Sequence, residues 1–260
     1  MPRRFLRGAV AAGVLLAAAA CSTQGSNGTD TASGTSQISA NDSAAARDSG
    51  AKAAPDTAWR SLVEGDSLTA WRAYRGTGMH PQWQAKGGVL TVAGKGGDAG
   101  DIITVDQFGD FELELEWKIG DAGNSGVFYR GTDEFNQIYW SAPEYQLLDN
   151  VNAADNKKDN HLAGSVYDLY AVPRDAARKA GEWNRTRIIA KGSQVEHWLN
   201  GKKVASYEVG SAGWDAAIKA SKFSPAKYPN FGKAPKGYLG IQGDHPGTLE
   251  LRRIRIREMK

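Results

Sequence analysis

From Trp59 to the C-terminus, apolar and polar residues alternate in short runs. Phe111-Glu-Leu-Glu-Leu-Glu-Trp117-Lys118 alternates without a break, with Phe, Leu, Leu and Trp on one face and three Glu and a Lys on the other. That period of two predicts a strand with one face in a core and the other in solvent. Residues 194–199, the Asn200-Gly201 pair and residues 202–209 predict a hairpin closed by a type I′ turn. Thr248–Leu251 and Ile254–Ile256 predict a closing strand whose apolar parity slips at Arg252-Arg253, the mark of a bulge. Leu90–Val92, Ile102–Val105, Gly126–Arg130, Tyr145–Leu148 and Thr186–Ala190 add further short strands. Helical spacing is scarce. Ala212–Ala220, with Trp214, Ala217 and Ile218 along one side, is the best short helix. Many short strands joined by Gly- and Asn-rich turns predict an all-β sandwich or barrel.

The first 55 residues follow another pattern. Arg3, Arg4 and Arg7 precede an uncharged run of 13 residues from Gly8 to Ala20. A helix needs about 20 residues to span a bilayer core, so the run is too short for that but suits a signal-peptide core. It ends Ala18-Ala19-Ala20-Cys21, which resembles a bacterial lipoprotein box and implies lipidation at Cys21. Cys21 is the only cysteine in the chain, so an intrachain disulfide is excluded. The alternative is an ordinary secretory signal cut after a small residue. Ser22 after the cysteine favours the outer membrane if the cell is Gram-negative. Ser22 to Pro55 has no aromatic residue and a single large aliphatic, Ile38. Such a stretch cannot bury enough apolar surface to offset its ordering entropy. It reads as a flexible tether with a reach of about 30 Å. The expected layout is therefore a signal over 1–20, a lipid-anchored linker over 21–55 and one domain over 56–260.

Charge narrows the range of partners. The chain has 32 Lys and Arg against 29 Asp and Glu, but the three arginines of the signal leave with it, so the mature balance is 29 to 29. A near-neutral domain with no large basic patch argues against nucleic acid.

Seven blocks of the domain resemble one family. They are Asn124-Ser-Gly-Val-Phe-Tyr-Arg130, Glu144-Tyr-Gln-Leu-Leu-Asp149, Ala163-Gly-Ser-Val-Tyr-Asp168, Gly181-Glu-Trp-Asn184, Val195-Glu-His-Trp-Leu-Asn-Gly201, Ser221-Lys-Phe223 and Arg253-Ile-Arg-Ile-Arg-Glu258. In this order they resemble the 3-keto-disaccharide hydrolase domain. The resemblance implies a concanavalin A-like, jelly-roll β-sandwich acting on sugars oxidised at C3. One departure stands out. Where the family usually reads Gly-x-Ile-x-Leu-Gln-Asp-His-Gly, this chain has Gly240-Ile-Gln-Gly-Asp-His-Pro-Gly247. The extra Gly243 is expected to re-aim Asp244 and His245 relative to Gln242.

Cleaving a 3-keto-glycoside differs from ordinary glycosidase chemistry, which stabilises an oxocarbenium-like state between two carboxyls. The ketone acidifies the proton on C2, so a base can remove it, the C1 substituent can leave, and water can add back. Such a site needs a base, an acid and positive charge or donors near O3. Glu144 is the first candidate acid or base, with Gln146 on its face of the strand. His197 reads either as a catalytic group or as a core histidine between Val195 and Leu199. His245 beside Asp244 reads as an acid/base, a metal ligand or a turn residue. Arg130 and Lys222 are candidates to hold charge on O3, and Tyr167 and Gln242 to bind sugar oxygens. Trp140, beside Tyr139, is a candidate platform for a sugar ring. An ordinary hydrolase and a carbohydrate-binding domain without catalysis remain as alternatives. No cofactor motif is present; a divalent ion is left open, with Asp149 and Asp244 as the candidate ligands. A separate sugar 3-oxidase or dehydrogenase is the implied companion.

Overall fold

A computed structural model describes residues 58–94 and 99–260. The signal segment, Cys21 and the linker lie outside the described residues. Among the described residues, thirteen strands run in chain order: β1 (Arg60–Ser61), β2 (Trp71–Ala73), β3 (Trp83–Lys86), β4 (Val89–Gly94), β5 (Ile102–Phe108), β6 (Phe111–Ile119), β7 (Asn124–Gly131), β8 (Glu144–Leu148), β9 (Asn184–Lys191), β10 (Gln194–Leu199), β11 (Lys202–Glu208), β12 (Gly237–Ile241) and β13 (Gly247–Glu258). They form two antiparallel sheets. The larger runs β11-β10-β9-β6-β13-β4-β3, with β1 also on β13, and the smaller runs β2-β5-β12-β7-β8.

The predicted elements appear with their local chemistry. Asn200 and Gly201 both have positive φ, 51° and 83°, as a type I′ turn requires. β13 is one continuous strand, but its register on β6 shifts between Arg252 and Arg255, with Arg253 at φ 52°. The helix α1 (Ala212–Ala220) starts at Ser211, whose side chain accepts from the Trp214 N–H, and buries Trp214 and Ile218.

Between the sheets lie Leu113, Leu115 and Trp117 of β6, Leu251, Ile254 and Ile256 of β13, Ile188 of β9, Val127 and Tyr129 of β7, Tyr145 and Leu147 of β8 and Ile241 of β12, all fully or nearly fully buried. The face of β6 expected in solvent is not open. Glu112 is 3 % and Glu114 9 % exposed, because arginines from both neighbouring strands lie over them. Glu112 pairs with Arg187 and Arg257, Glu114 with Arg185 and Arg255, and Glu116 with Arg252 and Arg253. The alternation predicts the strand correctly; the arginine cover comes from sequence-distant strands.

Candidate active site

The smaller sheet has a second buried face, turned away from the core. Register builds it. Gly240 pairs with Ile103 of β5 and Phe128 of β7, and Phe128 pairs with Glu144 of β8. Ile103 and Phe128 pack with Ile138 and Ala142 of the connection before β8, so Glu144 ends a row whose middle is apolar and whose far end, on β2, is Arg72. One position along, Ile241 pairs with Ile102 and Val127, and Gly126 with Gln146. Asp101, Gln242, Gly126 and Gln146 thereby form a polar row beside the apolar one.

Glu144 is 5 % exposed. Its side chain folds across β7 onto Gly126, where any β-carbon would overlap the carboxylate. In the amide orientation that satisfies the surrounding acceptors, Gln146 donates to Glu144 Oε1 at 3.0 Å and to the Ser125 carbonyl at 3.1 Å. Burial pushes the Glu144 carboxyl up to about 8; Lys222 opposes this, while Asp101, Asp244 and Asp155 add to it. A carboxyl with that affinity can take and return a proton near neutrality.

Lys222 reaches the same space from the segment after α1. Its Nζ lies 4.5 Å from the Tyr167 ring centroid and 5.4 Å from that of Tyr139. Its backbone N–H donates to Asp168 Oδ2 at 2.9 Å. Asp168 Oδ1 lies 3.0 Å from His161 Nε2, and His161 Nδ1 lies 2.7 Å from Asp155 Oδ1. The Tyr167 hydroxyl donates to Asp155 Oδ2 at 2.8 Å. One chain of bonds therefore fixes both Lys222 and Tyr167. Burial works against the Asp168 charge, but the His161 bond, the Lys222 N–H and nearby positive charge outweigh it and hold the carboxyl below its ordinary value. Burial and the Asp155 bond push the Tyr167 hydroxyl up, so it stays a donor. Burial, Asp244 and Asp101 raise Tyr139 in the same way.

At the other end of the polar row, Asp101 is 5 % exposed. Its Oδ1 accepts from the Gly243 N–H at 3.0 Å. Burial and then Asp244 push its carboxyl up to about 7, against the pull of that N–H.

A groove of about 570 Å³ opens on the other sheet, lined by Trp59, Glu114, Glu116, Arg185 and Arg255 among others. Its carboxylates are held by arginines, and Glu114 and Glu116 lie below their ordinary values because those contacts outweigh burial. Neither is suited to exchange a proton near neutral pH, so the outer face of the smaller sheet is the better site.

Comparison with known proteins agrees with this architecture. The family described as the 3-keto-alpha-glucoside-1,2-lyase-like domain matches residues 58–257. A 3-keto-disaccharide hydrolase of Bacteroides thetaiotaomicron is 35 % identical over 225 residues, covering 76 % of this chain and 77 % of that one. The chain belongs to this family. A crystal structure from Parabacteroides distasonis, provisionally assigned as a glycosyl hydrolase, superposes with a TM-score of 0.70 at 29 % identity, over 78 % of this chain and 94 % of that one. A second from the same organism gives 0.65 at 27 %, over 78 % and 100 %.

The candidates read from the family blocks separate into two groups. Glu144, Gln146, Tyr167, Lys222 and Gln242 gather on the outer face of the smaller sheet or its rim. Trp140 lies near them, but its ring stacks on Tyr228 at 4.1 Å between centroids and 7° between planes, so one face is taken. His245 sits on the rim, its side chain 41 % exposed and Nε2 3.9 Å from Asp244 Oδ1.

Three candidates are corrected. His197 is fully buried between the sheets, with Nε2 2.8 Å from the Tyr129 hydroxyl and Nδ1 3.0 Å from the Gly164 carbonyl. It is a core histidine, because β10 turns that face inward. Arg130, at φ 53°, binds the Gly109 and Gly192 carbonyls and Asp110, tying two turns together. Asp149 accepts from the Ala122 and Val151 N–H groups and so fixes backbone. Among the described residues, no three His, Cys, Asp or Glu side chains converge as a metal site.

Sequence reasoning missed Asp101, the Asp155–His161–Asp168 chain and the nearness of Tyr139. Asp101 stands two positions before Ile103, on its face of β5, but nothing local distinguishes it from a strand-end turn residue.

Proposed function

We propose that this protein cleaves the glycosidic bond of 3-keto-glycosides by elimination followed by hydration. The observation that carries the reading is Glu144, a buried carboxyl raised to about 8 on a face that also receives Lys222 and Tyr167, within a chain of this family. Glu144 takes the C2 proton, leaving enolate charge on O3. The Lys222 ammonium, held over the Tyr167 ring, stabilises that charge. Collapse of the enolate restores the C3 ketone, forms a C1–C2 double bond and expels the C1 oxygen. Water then adds at C1, and Glu144 returns its proton to C2. The net result is hydrolysis.

The test offers the purified protein a glycoside and its 3-keto derivative. Turnover of the keto form alone is expected. Binding of either without turnover overturns the reading in favour of a carbohydrate-binding role, and equal turnover of both indicates an ordinary glycoside hydrolase.

The same proposal extends to place. A lipid on Cys21 would hold the domain on the periplasmic or cell-surface face of a bacterial membrane, next to an oxidase or dehydrogenase that makes the 3-ketone. Metabolic labelling with an alkynyl fatty acid should mark the wild type and not Cys21→Ala; labelling of both would remove the anchor from that site.

A further inference from the structure

The elimination just described needs an acid for the departing oxygen, and nothing yet assigned supplies it. The polar row ends opposite Glu144 in a second group of carboxyls. Asp101, just before β5, has one oxygen held by the Gly243 N–H, while its Oδ2 is buried with no hydrogen-bond partner among the described residues. Asp244 has its Oδ1 in the same condition, although 30 % of its side chain is exposed. Buried carboxylate oxygens without donors are costly, and a proton shared between two such groups removes most of that cost.

A third side chain points to a ligand independently. Gln242 is 5 % exposed, and its Oε1 is also buried without a hydrogen-bond partner among the described residues. Continuing the register just past β12, it stands between Asp101 and Gly126, in the floor between the two carboxyl groups. Glu144 reaches over β7, so its carboxylate and Asp101 are separated by about two strand spacings, roughly 10 Å between backbones. That leaves room for one sugar ring above Gln242.

Gly243 makes the approach of the pair. A β-carbon there would overlap the Gly100 carbonyl and lie 2.8 Å from Trp83 Cζ2, so only glycine brings this loop close enough for its N–H to reach Asp101. The His80 ring packs on Gly100. The groups that feel the pair are Tyr74, through Asp101, and Tyr139 and Glu144, through both, with the Gly243 N–H on Asp101 and His245 at the rim.

We infer that Asp244, sharing a proton with Asp101, is the acid that protonates the leaving oxygen, and that Gln242 takes a hydrogen bond from a sugar hydroxyl between that pair and Glu144. This rests on the elimination reading above. When the C1–O1 bond breaks, its electron pair passes to O1, and the proton moves from the pair to O1, releasing the alcohol. The pair, now without its proton, takes one from the water that adds at C1. Asp244 touches the leaving group; Asp101 is a positioning residue that stores the proton.

Leaving-group dependence separates this role from a structural one. Two 3-keto-glucosides are compared, one with a sugar as leaving group and one with 4-nitrophenol, which departs without an acid. Asp244→Asn should lower kcat/KM at least about 100-fold on the first and less than about 5-fold on the second. Asp101→Asn should follow the same split, and Asp244→Asn, the more exposed position, decides the matter if Asp101→Asn does not fold. Glu144→Gln should lower both substrates alike, since C2 deprotonation serves both. Equal losses on the two substrates, or no loss, would overturn the acid assignment while wild-type turnover stands. Absence of wild-type turnover on both would overturn the elimination reading itself.

Discussion

The Glu144 carboxylate rests on the bare α-carbon of Gly126, one strand away from its own backbone. That contact lets a strand residue lie flat against its sheet and bury its charge there. Gly126→Ala places a methyl group where the carboxylate sits. Overpacking of this kind costs about 1–3 kcal/mol, and the displaced carboxylate should lower kcat/KM on a 3-keto-glycoside by about 100-fold or more. In a Glu144→Ala background the methyl group has room. The destabilisation by Gly126→Ala, read by urea unfolding, should then shrink to a few tenths of a kcal/mol. The same cost in both backgrounds would show that the strain lies elsewhere.

Glu144 should also make the wild type less stable in alkali. Its carboxyl is raised from 4.5 to about 8 by burial, helped by Asp101 and Asp244 against Lys222. Between those values the folded chain binds the proton and the unfolded chain does not. The stability this provides is present below about 4.5 and is lost as pH rises through about 8, by an amount on the order of a few kcal/mol. Glu144→Gln keeps the shape and removes the titration. Urea unfolding should find the two proteins equally stable at pH 4 and the variant more stable at pH 9, with turnover nearly abolished. Equal stability at pH 9 would mean that the carboxylate is solvated there.

Much of this was legible in the chain. Strict alternation in residues 111–118, the Asn200-Gly201 turn and the parity slip at Arg252-Arg253 each state a local preference that the sheets honour. The Glu144/Gln146 pair was legible for the same reason, as period two puts both on one face. What could not be read is what other strands bring. Glu112 and Glu114 look solvent-facing until Arg187, Arg255 and Arg257 cover them. Asp101 belongs to the site only through β12, which carries Gln242 and Gly243 to its side across more than 130 positions of chain. His197 shows the converse: its neighbours Val195 and Leu199 already marked an inward face, and the core reading was the one the packing kept.

That histidine yields the last prediction. Burial pushes the His197 ring down to about 4, although its bond to the Gly164 carbonyl pulls the other way. The carbonyl can only accept, so Nδ1 carries the hydrogen and Nε2 accepts from the Tyr129 hydroxyl, which in turn lies 2.7 Å from the Tyr207 hydroxyl. A neutral ring satisfies both contacts. A second proton at Nε2 would face the Tyr129 hydroxyl, forcing that pair to reorganise. In the unfolded chain the ring titrates near its ordinary 6.5. The unfolded state therefore binds more protons between 6.5 and about 4, and stability is lost as pH falls through that window, by roughly 3 kcal/mol. His197→Gln can still donate to one neighbour and accept from the other but does not titrate. Its unfolding free energy, measured in urea from pH 7 to pH 4, should start below that of the wild type and fall less steeply, so the two curves converge in acid. Parallel curves would mean that His197 is protonated in the folded core. Turnover of a 3-keto-glycoside at pH 7 should stay within a few-fold of wild type, because the ring lies between the sheets and Glu144 lies on the other face.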